Sequence, residues 1–287
     1  MADARPIGKF QVLGTLGQGA HSTILHVRRH DDGRQYALKV VPIEGRDDWK
    51  FHDQAQHEYR VAQRLDHPNL IKVYSLELLR NWLLRVKKVH LLIEYVNGKT
   101  LDTVPPLSVA RLVQIFRRVA EGLAHMHRRG VCHADLKPNN IMLSRTGDVK
   151  IIDFDLAWIK GEAKGRVQGT PEYMAPEQSK NAVANEKTDI YNLGATMYRM
   201  TTMRLPPSTL PRPGSPALTA KLFAAILKPV QQYNAQAPPP LCELIQTCLA
   251  YSPDRRPARV NDVVDQLQAL ESQLVHLPDD SLETMEW

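Results

Sequence analysis

The chain has 287 residues, 43% apolar and 24% charged, which allows a sizeable buried core in one large domain or in two lobes. Its net charge of +6 is spread along the chain with no arginine-rich tail, so no nucleic-acid partner is expected. No apolar run reaches the roughly 18 residues that span a bilayer, Met1–Pro6 lacks the apolar stretch of a signal peptide, and Cys132, Cys242 and Cys248 form neither a disulfide framework nor a paired metal-ligand spacing. A cytoplasmic protein with buried, reduced thiols is the expectation.

The stretch 1–96 reads mostly as strands. Phe10–Leu16 and Thr23–Arg28 alternate and flank Gly17, Gln18 and Gly19. Tyr36–Val41 follows a hairpin signal at Asp31, Asp32 and Gly33. Gln54–Leu65 is patterned as a helix, stopped by His67, Pro68 and Asn69. Lys72–Glu77 and Val89–Tyr95 fit two more strands. Between them the basic stretch Arg80–Lys88 reads as a solvated hairpin, with docking of an acidic partner as the alternative.

At Asn97 and Gly98 the pattern becomes helical. From Val109 to Met126 apolar residues recur at spacings of three and four, one continuous face with Ser108 as its cap. Arg204–Pro240 is rich in proline and small residues and reads as an irregular surface excursion. Arg259–Leu274 is the last helix, and Pro278–Trp287 is acidic. This division into strands and then helices at a glycine argues for two lobes with a cleft: 1–96, 97–275, and a tail at 276–287.

Several residues suit phosphate chemistry. Gly17 and Gly19 allow backbone N–H groups to approach phosphate oxygens closely, although a plain hairpin turn explains them equally well. Lys39 sits on an apolar strand and needs an anion. Glu58 on the following helix can hold it over phosphates, and a surface salt bridge is the alternative. The loop from His133 to Asn140 packs a carboxylate, a cation and an amide together. Asp135 can take a proton from an incoming hydroxyl, Lys137 can offset charge on a transferring phosphoryl group, and Asn140 can hold a metal by its carbonyl oxygen. Asp153, directly after the short strand Val149–Ile152, is a reasonable Mg²⁺ ligand.

Over roughly Phe10 to Leu274 these parts, in this order, resemble the eukaryotic-type (Hanks-type) serine/threonine protein kinase family. Gly169–Glu177 resembles the end of its activation segment, Asp189–Gly194 its buried helix, and Arg256 the arginine that pairs with Glu177. The resemblance implies an α+β bilobal kinase fold: a small, mainly β N-lobe with one key helix, a larger, mainly α C-lobe, and the active-site cleft between them. It implies ATP and Mg²⁺ as cofactors and a protein substrate with a Ser or Thr acceptor. Ile24, Ala37 and Met142 would enclose the adenine, Ile93 would be the gatekeeper, and Glu94 to Val96 would offer hinge hydrogen bonds. Thr170, with Lys137, implies Ser/Thr preference by coupling that lysine to the catalytic aspartate. Asp135, Lys137, Lys39 and Glu58 would be catalytic, and Asn140 and Asp153 would hold the metal. The run Tyr173–Gln178 has a bacterial character. The sequence specifies neither an oligomeric state nor a particular substrate.

Three positions depart from the family. Ser22 replaces the third glycine of the loop. Ala134 stands where many members carry the arginine that receives an activation-segment phosphate, and Leu156–Gly169 contains no Ser, Thr or Tyr. Receiver and donors are absent together, so no switching by phosphorylation of that segment is expected. Asp155 replaces the glycine after Asp153 and Phe154. It reads as an added carboxylate near the metals, as a stiffener of the motif, or as a solvated side chain. These departures motivate an alternative, an ATP-binding pseudokinase scaffold. A small-molecule phosphotransferase is a third reading, opposed by Gly169–Glu177, Asp189 and Arg256.

Overall fold

The computed structural model describes residues 7–19, 21–162, 169–181, 184–210 and 218–274. The tail at 276–287, the start Met1–Pro6 and part of Leu156–Gly169 lie outside them. The chain divides into two compact units. The first takes the described residues up to Asp66 together with Leu70–Asn97 and Asp153–Asp155; the second takes His67–Asn69, Gly98–Ile152 and the described residues from Leu156 onward.

In the first unit, β1 (Phe10–Gln18), β2 (Thr23–Arg29), β3 (Gln35–Pro42), β4 (Val73–Arg80) and β5 (Val86–Glu94) form one antiparallel sheet in the order β1-β2-β3-β5-β4. Alternation along β3 decides its faces. Tyr36 and Leu38 join Phe10, Val27 and Leu92 in an apolar cluster. Ala37 and Lys39 point to the other face, opposite His26 and Ile24 on β2 and opposite Ile93 and Leu91 on β5. The β2–β3 turn is tied by Asp32, which accepts from Arg34 N at 3.0 Å and from the Tyr36 hydroxyl at 3.0 Å. The β4–β5 hairpin is tighter than the sequence pattern suggested: its strands run to Arg80 and from Val86, and Asn81 Oδ1 accepts from Leu83 N and Arg85 N. Trp82 at its tip is 86% exposed.

Helix α1 (Trp49–Ala62) begins five residues before the patterned stretch and ends three before its expected end. The early start follows a turn in which Asp48 Oδ2 accepts from Glu44 N and Gly45 N. At the end, the bonds of Arg64 N to Val61 O and Leu65 N to Ala62 O tighten the chain into a turn. Its buried residues His52, Ala55, Glu58, Val61 and Ala62 recur at helical spacing and make the inward face.

The second unit holds β6 (Gly98–Thr100), α2 (Val109–Arg128), β7 (Val131–Cys132), β8 (Ile141–Ser144), β9 (Val149–Ile151), β10 (Trp158–Ile159), α3 (Pro176–Asn181), α4 (Glu186–Thr202), α5 (Ala220–Ile226), α6 (Pro239–Cys248) and α7 (Val260–Leu274). Strands β6, β8 and β9 make a small sheet, and β7 pairs with β10. Ser108 caps α2 by accepting from Arg111 N. Helix α2 packs on α7 and α4, and α4 packs on α6. Gly194 permits that last contact, because a Cβ there would lie 2.7 Å from Cys248 Cβ.

The expected irregular excursion over Arg204–Pro240 is corrected in part. It contains α5, capped by Thr219 and anchored by Phe223, which is 2% exposed. Proline density around so short a helix hid its one apolar anchor. Residues 211–217 lie outside the described residues.

Candidate active site

In the first unit, Lys39 sits on the sheet face that also carries Ile24, Ala37 and Ile93. Glu94 ends β5, and Val96 follows in the stretch before Gly98. Gly17 pairs with Ile24 at the end of β1, and Gly19 N donates to Ser22 O at 2.8 Å. A Cβ on Gly19 would fall 2.9 Å from Ser22 Oγ, a contact that rotation of the serine side chain would relieve. Lys39 Nζ donates to Glu58 Oε2 at 2.7 Å and to Asp155 Oδ1 at 2.9 Å. Burial disfavours the Lys39 ammonium, but the charges of Glu58, Asp155 and Asp153 outweigh it and hold its pKa above the ordinary lysine range. Burial pushes the Glu58 carboxyl up, to about 8; Lys39 opposes the rise while Asp155 and Asp153 add to it. The two directions agree on one picture. The ammonium stays charged, and burial with the acids crowded around it favours a proton on Glu58. A hollow beside this cluster, of about 150 Å³, is lined by Gly19, His21, Lys39, Phe51, Gln54 and Asp155, among others. His21 stacks on Phe51 with ring centroids 3.7 Å apart.

In the second unit, the loop between β7 and β8 carries Asp135, Lys137 and Asn140. Lys137 Nζ donates to Asp135 Oδ2 at 2.8 Å and to Thr170 Oγ1 at 2.6 Å. Thr170 N donates to Asp135 Oδ1 at 2.7 Å. Both carboxylate oxygens of Asp135 are therefore held, and the lysine bridges to the threonine hydroxyl. Below them Asp189, fully buried on α4, accepts from His133 N at 2.8 Å and Ala134 N at 2.7 Å and bonds His127 Nε2 at 2.7 Å. Burial alone would raise the Asp189 carboxyl. The His127 bond and the neighbouring donors outweigh burial and leave it below the ordinary carboxylate range. Met142 lies half-buried on β8, paired with Thr100 and Lys150.

The donor chemistry suits a hard cation such as Mg²⁺. Carboxylate oxygens of Glu58, Asp153 and Asp155 lie within 4.8 Å of one another in the first unit. In the second, Asn140 donates through Nδ2 to Asp135 O at 2.9 Å, which leaves its Oδ1 as the acceptor.

The family description "protein kinase domain" matches residues 10–269. The chain belongs to the protein kinase family. A probable serine/threonine-protein kinase of Streptomyces coelicolor is 30% identical over 209 residues, covering 69% of this kinase chain and 31% of the relative. The serine/threonine-protein kinase PrkC of Bacillus subtilis is 25% identical over 264 residues, covering 89% and 39%. The serine/threonine-protein kinase PknA of Mycobacterium tuberculosis is 29% identical over 258 residues, covering 87% and 58%. These similarities set the chain with the bacterial Hanks-type members. It spans between 31% and 58% of the length of these relatives.

Sequence reasoning missed two contacts of this kinase domain. The first is Asp155 on Lys39, a pairing between residues far apart in the chain. The second is Gln178, whose side chain is buried against the loop that carries Asp135: Nε2 donates to Ala134 O at 2.6 Å, and Oε1 accepts from Ala175 N at 3.1 Å. An uncharged residue one place beyond Glu177 carries no signal of its own. The Glu177–Arg256 pairing expected from the resemblance is present and bidentate, at 2.7 and 2.8 Å.

Proposed function

We propose that this chain transfers the γ-phosphoryl group of ATP to serine or threonine hydroxyls of protein substrates, and does so without phosphate on its activation segment. The observation that carries the reading is the closed set Asp135, Lys137 and Thr170. A carboxylate held by Lys137 Nζ and Thr170 N is pre-aimed to orient an acceptor hydroxyl and take its proton. Lys137 offsets charge as the phosphoryl group leaves ATP, and its bond to Thr170 Oγ1 fixes it beside Asp135. Lys39, held by Glu58, orients the α- and β-phosphates. Ile24, Ala37, Ile93 and Met142 enclose the adenine, with Glu94 and Val96 supplying backbone hydrogen bonds. Asp153 and Asn140 hold Mg²⁺, which neutralises phosphate charge when bound. Most of the rate would come from positioning and electrostatics.

Phosphate independence is supported by Ala134, whose methyl group cannot receive a phosphate, and by the absence of Ser, Thr and Tyr from Leu156–Gly169. One observation favours a second reading, an ATP-binding scaffold without transfer: Asp155 lies on the lysine that phosphates need.

Phosphate incorporation into a protein acceptor from Mg·ATP separates the two. Asp135→Asn is expected to lower kcat by about 10²-fold or more with the KM for ATP little changed. Phosphatase pretreatment of the wild-type protein is expected to leave activity intact. Equal incorporation by wild type, Asp135→Asn and Asp153→Ala would establish the scaffold. A large loss on phosphatase treatment would sink the phosphate-independent active state.

A further inference from the structure

We infer that Gln178 is a positioning residue: its carboxamide ties the end of the activation segment to the catalytic loop, and so holds the protein-substrate platform in working form with no phosphate present. This inference rests on the reading of the chain as an active kinase.

The geometry is local to the second unit. Gln178 lies on α3 and is 1% exposed. Its amide nitrogen donates to Ala134 O and its amide oxygen accepts from Ala175 N. Ala134 is the residue before Asp135 and has φ 64°, in the left-handed region that a side chain with a Cβ rarely adopts. Such a conformation persists only where its surroundings over-determine it. Here both polar groups of its backbone are held: the N–H by Asp189 Oδ1 at 2.7 Å, the carbonyl by Gln178. Asp135 is thus aimed from below by a charged partner and from the segment side by a neutral one.

The same amide lies where the segment passes the loop. Gly169, at φ 136°, comes so close that a Cβ there would sit 3.2 Å from Gln178 Nε2 and 3.6 Å from Ala134 O. The next residue is Thr170, whose N–H and hydroxyl engage Asp135 and Lys137. One buried carboxamide therefore bonds two backbone groups, the carbonyl before the catalytic aspartate and the N–H of Ala175, and lies beside the glycine before Thr170, where a Cβ would crowd it.

Glutamine is suited to this place by its chemistry. It offers one donor and one acceptor on the same planar group, matching one carbonyl and one N–H. Glutamate has no proton for Ala134 O when ionised and would set a carboxylate against that carbonyl. Methionine fills the space but leaves both backbone groups without their partner, and buried groups left so are costly. In relatives with arginine before the catalytic aspartate, a charge pair to a phosphate can order the segment. Here position 134 has no arm and Leu156–Gly169 has no acceptor hydroxyl, and the amide makes the connection instead.

The experiment compares the wild-type chain with Gln178→Glu and Gln178→Met, using dephosphorylated casein as acceptor. It reads kcat, the KM values for casein and for ATP, the melting temperature, and backbone hydrogen exchange over Gly169–Ala175. For both variants the expected result is a loss in kcat/KM for casein of about 10- to 100-fold, a KM for ATP within about twofold of wild type, and faster exchange over Gly169–Ala175. Retention of kcat/KM for casein in both variants overturns the inference. So does a loss shared equally with ATP binding that follows a fall in melting temperature. If the wild-type chain binds ATP but transfers no phosphate, the kinase reading fails, and the tie is judged on exchange alone. Faster exchange in Gln178→Glu then supports it, and unchanged exchange overturns it.

Discussion

Asp155 replaces a glycine with a carboxylate, and that carboxylate lies 2.9 Å from Lys39 Nζ. With Glu58 and Asp153 nearby, three acids surround one ammonium. Metal-free ATP must bring its own negative charge into that surplus. At an effective dielectric of about 20, a carboxylate about 4 Å away costs a phosphate charge about 4 kcal/mol. Asp155→Asn is therefore expected to tighten binding of ATP in EDTA by about tenfold or more, with a smaller change for Mg·ATP. Titration calorimetry under the two conditions checks this; equal affinity of wild type and variant in EDTA would mean that Asp155 leaves Lys39 as nucleotide enters. At this scale, legibility followed sequence distance. Lys137 is two residues from Asp135, and its closeness to that carboxylate could be read from the spacing. Lys39 could be read from its strand. Asp155 and Gln178 were identifiable as residues, but their partners lie far along the chain and no local pattern names them.

Among the elements, α4 is where structure and chemistry meet, because its Asp189 holds the backbone of His133 and Ala134 from inside the core. Its carboxyl is held below the ordinary range in the folded chain, so its contribution is fully present above the unfolded value of about 4. It fades as pH falls below that value, through the folded pKa. Asp189→Asn is expected to melt lower than wild type at pH 7. The gap between the two should narrow as pH falls below about 4, as measured by thermal melts across pH. A constant gap would show that the charge is irrelevant to the hold. Helix α2 was legible because twenty residues repeat one apolar face above a serine cap. The start of α1 was not, since a side-chain-closed turn at Gly45–Asp48 sets it rather than periodicity. Nor was α5, where Phe223 is the one buried residue.

For the whole molecule, the strand-rich and helix-rich stretches were readable from period alone, but two short segments belong with units that their neighbours in sequence do not predict. His67–Asn69 follow α1 yet go with the second unit, because Asn69 Nδ2 donates to Val149 O and Asn69 O accepts from Ile151 N. Asp153–Asp155 go with the first. Each unit has its own buried interior, and in the second Arg256 is fully buried against Glu177. Removing one partner of such a pair costs about 3–5 kcal/mol. Arg256→Met is expected to lower the thermal transition of the second unit by about 10 °C, with the transition of the first unit moved less. Calorimetry reads both, and equal shifts would show that the units unfold as one. The tie through Gln178 has a consequence of another kind. A latch made of arginine and phosphate weakens as salt shortens the reach of charge, from about 30 Å at 0.01 M to about 3 Å at 1 M. The bonds of Gln178 to Ala134 and Ala175 join neutral, buried groups, so ionic strength has little hold on them. A cell that loses water and concentrates its ions leaves this contact as it was.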